Sequence, residues 1–199
     1  MKTRSKWELR LELERNAAHL FFGLAIAGFV GIAPKYVGTL KTLALLGVVI
    51  AAGAAMSLAV QKRVRIPLVS GFVERLERKK AWPGKGAIAL FTGVFLAIAL
   101  FDKRPAFVGA LSVALCDSFS TIFGKSWGRH RIVGKKTIEG FVGGFVPTLV
   151  VLLAFMSAPL ALLVALTASV AELLSPMDDN LVIPILAGAV FTAFRYSFV

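Results

Sequence analysis

Five stretches of this chain, residues 17–33, 42–60, 86–101, 105–123 and 181–194, contain no Asp, Glu, Lys or Arg except for Asp117 in the fourth. A sixth, residues 141–171, is uncharged for thirty-one residues. Backbone that enters lipid must satisfy every N–H and C=O internally, and about twenty apolar residues carry a helix across the hydrocarbon. These runs therefore restrict the chain to a bundle of apolar helices in a membrane. The sixth run is too long for one crossing, and Pro159, beside Ser157 and Ala158, divides it into two. The expectation is an all-α integral membrane protein of about seven transmembrane helices, or six spans if one segment is re-entrant. The first run reads as a retained span, because the region ahead of it is long and mixed in charge and lacks a small-residue cleavage site.

Composition points the same way, with 57% apolar residues, 17% charged residues and a mean hydropathy of +0.79. A net charge of +12 would suggest a nucleic-acid partner in a soluble protein. Here the Lys and Arg residues occupy the connections, where they set orientation instead. Alternate connections carry eighteen and five of them, which places the N-terminus in the cytoplasm and, with seven spans, the C-terminus outside. The same count puts the N-terminal tail, the loop ending in KKTIEG and the loop containing SPMDDN on the cytoplasmic face. No internal repeat or low-complexity segment divides the chain, so residues 1–199 form a single polytopic domain. Its longest polar connection, about residues 61–85, reads as an amphipathic interfacial segment around Phe72 and Leu76. Arg75, Arg78, Lys79 and Lys80 there suit anionic lipid headgroups. The single cysteine, Cys116, excludes an internal disulfide and a multi-cysteine metal site.

Four polar patches carry candidate chemistry. Glu12, Arg15 and His19 are spaced to share one helix face at the start of the first span; an interfacial ion pair would use the same pattern. Asp117, with Ser118 and Ser120, lies inside an apolar span, where an ionisable group is costly and usually functional. Such a carboxylate can hold a divalent cation that bridges phosphate oxygens. The segment of about residues 117–140 then brings Gly124, Lys125, Gly128, Arg129, His130, Arg131, Gly134, Lys135, Lys136, Thr137, Glu139 and Gly140. Glycines let backbone amides approach phosphate, and Lys and Arg neutralise its charge. The spacing is not that of a Walker loop. A helix starting near Thr137 would direct its N-terminus at phosphate, with Glu139 free to bind metal or fix a lysine. Finally, Glu172 precedes Asp178, Asp179 and Asn180, which suit metal ligation or nucleotide contact, and equally the cap of the last span.

Taken together, ELERNAAH, LCDSFSTIFGKSWGRHRIVGKKTIEG and AELLSPMDDNLVIP resemble the CTP-dependent polyprenol and lipid kinases, the group of dolichol kinase, phytol kinase and CTP-dependent diacylglycerol kinase. The likeness covers most of the chain. It departs from the family pattern at Asn16, Cys116 and Lys125, where lysine, glycine and arginine are usual. The central segment also resembles phosphatidate cytidylyltransferase, but that family's closing signature contains histidine, and no histidine follows His130 here. The resemblance implies magnesium-assisted transfer of the γ-phosphate of CTP to a long-chain lipid alcohol such as dolichol or another polyprenol. CMP transfer to a lipid phosphate is the alternative, and a small ion-coupled transporter a remote one. It further implies Asp117, Lys136 and Glu139 as catalytic residues and Asp117, Glu139 and Asp179 as metal ligands. Gly124, Lys125, Gly128, Arg129, Arg131, Lys135, Thr137, Gly140, Asp179 and Asn180 would bind the nucleotide, with Glu12, Arg15, His19 and Glu172 in support. The protein would sit in the cell membrane, or an endoplasmic-reticulum-type membrane, with its site facing the cytoplasm and no nucleic-acid partner.

Overall fold

A computed structural model describes residues 6–62 and 82–197, with side chains from residue 11 onward. The amphipathic segment expected around Phe72 and Leu76, with its basic cluster, lies outside the described residues. Seven helices appear among those that are described: α1 (Lys6–Tyr36), α2 (Thr39–Gln61), α3 (Lys85–Phe101), α4 (Lys103–Ser126), α5 (Ile138–Leu152), α6 (Ala158–Leu174) and α7 (Asp179–Phe194). Three are long and apolar enough to cross a membrane: α1 over Leu11–Tyr36, α2 and α4. The other four are shorter apolar helices of 15 to 17 residues. Long and short helices alike expose apolar side chains, among them Phe21, Leu40, Val48, Leu100, Val150 and Leu162, as lipid contact requires. The chain is a membrane protein.

The long uncharged run divides near the expected place. Helix α5 ends at Leu152, and α6 opens at Ala158 with Pro159 in its first turn, where the missing N–H costs no hydrogen bond. One element departs from the all-α expectation. Residues 131–137 form a small antiparallel hairpin, β1 (Arg131–Val133) and β2 (Lys136–Thr137), with Arg131 opposite Thr137 and Val133 opposite Lys136. Gly134, at φ 56°, supplies the left-handed backbone of its two-residue turn. The β-branched Ile132, Val133 and Thr137 flanking the Gly134-Lys135 turn favour this pairing over an open loop.

Helix α4 is the axis of the bundle, buried along most of its length from Pro105 to Ser120 and packed against α1, α5 and α7. Its small residues, among them Ala106, Gly109, Ala110, Ala114 and Cys116, let neighbouring backbones come close, as in many membrane helix contacts. The closest approach that matters for function is the crossing of α4 and α5. A Cβ on Gly144 would stand 2.8 Å from the Cys116 carbonyl oxygen, and one on Gly140 would stand 3.0 Å from that of Ser120. Only glycine permits this crossing, and the crossing holds the start of α5 against the last two turns of α4. Thr137 caps α5 by accepting the Gly140 N–H at 3.1 Å, and Asp178 caps α7 by accepting the Asn180 N–H at 3.3 Å.

Candidate active site

Asp117, Ser120, Thr121 and Gly124 are spaced by three and four residues and so share one face at the end of α4. That face forms one wall of a cleft of about 330 Å³, closed by Lys135, Lys136 and Thr137 of the hairpin, Gly140 and Phe141 of α5, Glu172 of α6 and Asp179 of α7. Four separate segments thus converge at one end of the bundle.

Three carboxylates meet there. One oxygen from each of Asp117, Glu172 and Asp179 lies within 4.8 Å of the others. Glu172 is the most deeply placed, only 4% exposed. Such a charge needs partners, and it has two: the Ser120 hydroxyl donates to its Oε1 at 2.9 Å, and the Lys136 ammonium donates to the same atom at 2.5 Å. Lys136 also donates to Asp179 Oδ2 at 3.0 Å, so it bridges two of the three acids. Burial works to lower the pKa of Lys136, but the hydrogen bond and charge of Glu172, joined by Asp179, outweigh it and hold the ammonium above its ordinary value. The third acid faces α1: His19 Nε2 stands 3.3 Å from Asp117 Oδ2. Three hard oxygen donors at this separation suit a divalent cation such as magnesium, with phosphate oxygens and water completing its shell.

The rest of the expected site is distributed around this centre. Lys135, Thr137, Gly124 and Gly140 line the cleft, with Lys135 exposed at its rim. Lys125 forms an ion pair with Glu12, which also faces Arg15 at 3.6 Å, tying α1 to the end of α4. Gly128 packs against the Gly124 carbonyl and Thr137. Arg129, just ahead of the hairpin, and Arg131, on it, are exposed and do not line the cleft. Asn180 sits beside Gly86 of α3, its Oδ1 buried without a hydrogen bond.

Glu139, expected as a ligand beside Asp117, points elsewhere. Its carboxylate accepts the His130 backbone N–H at 3.3 Å and meets the His130 ring Nδ1 at 2.7 Å, strapping the hairpin to the first turn of α5. The third acid of the cluster is Glu172, which the sequence suggested only as support. Thr121 and Phe141 were not anticipated, although helical spacing from Asp117 and from Thr137 reaches both.

Residues 11–192 match the cytidylyltransferase family, which is nearly the whole chain. The chain belongs to the cytidylyltransferase family. Among curated relatives, an uncharacterised protein of Methanocaldococcus jannaschii is 34% identical over 87% of this chain and 88% of its own length. The CTP-dependent diacylglycerol kinase 1 of Schizosaccharomyces pombe is 28% identical over 72% of this chain and 66% of that protein. No solved structure matches. The expected kinship with the CTP-dependent lipid kinases therefore stands, and this cytidylyltransferase-family chain carries its acidic cluster in the segments that suggested the kinship, ahead of GKKTIEG and around Glu172 and SPMDDN.

Proposed function

We propose that the protein is a CTP-dependent kinase that phosphorylates a membrane lipid alcohol, with a polyprenol such as dolichol as the acceptor class. The observation that carries this reading is the convergence of Asp117, Glu172 and Asp179 around Lys136 in a cleft whose rim presents Lys135. All seven helices would cross the bilayer, with the cleft at the cytoplasmic face, where the excess of Lys and Arg in the N-terminal, hairpin and second-loop segments favours it.

Asp117, Glu172 and Asp179 would hold magnesium, which when bound neutralises the triphosphate and polarises the reacting phosphoryl group. Lys135 and Lys136 would bind phosphate oxygens, and the start of α5 would add backbone N–H groups. The lipid hydroxyl oxygen forms its bond to the γ-phosphorus as the bond from that phosphorus to the bridging oxygen breaks, and CDP leaves. The hydroxyl proton passes to the Asp117–His19 pair. Positioning and charge neutralisation supply most of the acceleration in such transfers.

The family's name favours a second reading, in which a lipid phosphate attacks the α-phosphorus and pyrophosphate leaves. Purified protein in liposomes, given CTP labelled at either the γ or the α position, separates the two. The acceptor panel should hold a polyprenol, diacylglycerol and phosphatidate. Label from the γ position in a polyprenol is the expected result. The same label in diacylglycerol corrects the acceptor, label from the α position in phosphatidate establishes cytidylyl transfer, and no labelled lipid at all defeats both readings.

A further inference from the structure

Lys136 occupies one oxygen on each of two of the acids that would hold a metal ion. Its ammonium bonds Glu172 Oε1 and Asp179 Oδ2, two of the three acids of the cluster. An ammonium on those atoms and a divalent cation among the same three acids would stand within a few ångströms of each other, and like charges so close repel. One must give way, and the structure indicates which. Glu172 is fixed on a buried helix face, its side chain 5% exposed, whereas the Lys136 side chain is 36% exposed on a two-residue strand beside the Gly134 turn. The lysine has a flexible four-carbon stem and open cleft in front of it. Lys135, the next side chain along, already lines that opening.

We propose that Lys136 is the resident counter-ion of the carboxylate cluster, and that a divalent cation enters only as Lys136 moves from the carboxylates to the phosphates of an incoming nucleotide. This rests on the reading that the cluster holds a metal alongside a triphosphate. The nucleotide offers the lysine replacement anions, so metal and nucleotide bind together, while free divalent cations are refused. An empty site then keeps its one buried acid, Glu172, paired with a cation.

The test is binding of Mn2+ alone to the full-length protein in detergent without nucleotide, followed by the spectroscopic signal of the free ion. Wild type should bind weakly at the cluster. Lys136→Met should bind one ion about tenfold tighter or more, the lower end expected when a like charge is removed at this range. Lys136→Arg, which keeps the charge, should stay close to wild type. Adding Asp117→Asn to Lys136→Met should abolish the gain, which places the ion at the cluster. Lys136→Gln stands in if the methionine variant does not fold. Tight uptake of one ion by wild type, or no gain in the neutral variants, overturns the proposal. The labelled-CTP assay reads the other claim separately: γ-transfer without a Mn2+ difference removes the counter-ion and keeps the kinase, and the converse removes the kinase and keeps the counter-ion.

Discussion

Replacing Glu172 by glutamine keeps the side chain's shape and one oxygen but removes its charge. The Ser120 hydroxyl, 2.9 Å away, can still donate to the amide oxygen. Lys136 loses its nearer anion, at 2.5 Å, and retains Asp179 at 3.0 Å. Breaking a fully buried ion pair costs about 3–5 kcal/mol, but Lys136 keeps one partner and is 36% exposed, so water offsets much of the loss. The expected cost is about 1–2 kcal/mol. For a chain of this size that lowers the melting midpoint by about 2–8 °C. Activity should fall far more. If Glu172 helps hold the metal and the phosphates, losing its charge should lower kcat/KM for γ-transfer from CTP by about 100-fold or more. The assays are thermal unfolding followed by tryptophan fluorescence and labelled-CTP transfer in liposomes, both on protein that elutes as a single species. A variant with the expected drop in midpoint and an undiminished kcat/KM would refute the reasoning, because Glu172 would then be a packing residue and the reaction would lie elsewhere.

Two neighbouring acids should separate cleanly. Asp178 caps α7 and lies 3.4 Å from Lys85, so Asp178→Ala should cost about 0.5–2 kcal/mol of stability while leaving transfer per folded molecule intact; Asp179→Asn should do the reverse, and unfolding and transfer assays on both variants check it. Gly144→Ala sets a methyl 2.8 Å from the Cys116 carbonyl oxygen and should cost about 1–3 kcal/mol while loosening the crossing beneath the cleft. Gly47→Ala, whose added carbon meets nothing within 4 Å, should be neutral or stabilising in the same unfolding assay.

The helices could be read from the sequence because lipid leaves few choices: a charge-free run of bilayer length must be helical. Even the break in the longest run was visible, in Pro159. Their true lengths were not, since α1 begins at Lys6 and runs through mixed charges where the side chains of Glu12 and Arg15 pair along the helix. The hairpin went unseen because five basic residues and three glycines between Ser120 and Lys136 look like open loop, and Ile132 and Val133 are too short a run to announce a strand. Asp117 and Asp179 could be picked out as acids in unusual places. Glu172 could be seen too, but its rank could not, because depth and the reach of Lys136 across the cleft depend on how α6 packs beside α4. Glu139 misled for a related reason: a carboxylate beside two lysines in sequence invites a metal role, while the hairpin's geometry gives it to His130.

Charge counting along the sequence and packing in the fold arrive at the same end of the bundle by unrelated routes. The count groups the N-terminal tail and the segment after Asp117 on one side by their Lys and Arg content, and the alternation of seven spans adds the loop before α7, which carries neither. In the fold these three segments touch one another: Lys125 pairs with Glu12, His19 faces Asp117, and Lys136 reaches Asp179. Orientation alone would require only the cations. The acids opposite them are what orientation does not require, since Asp and Glu contribute little to topology. Placing Asp117, Glu172 and Asp179 within 4.8 Å of one another is unfavourable for an empty protein unless a cation is always at hand. Lys136 meets that need in the resting site, and the rim lysine beside it marks where phosphate would draw it away. Under the proposed function, stability in the absence of ligand and affinity in its presence would depend on the same ammonium group.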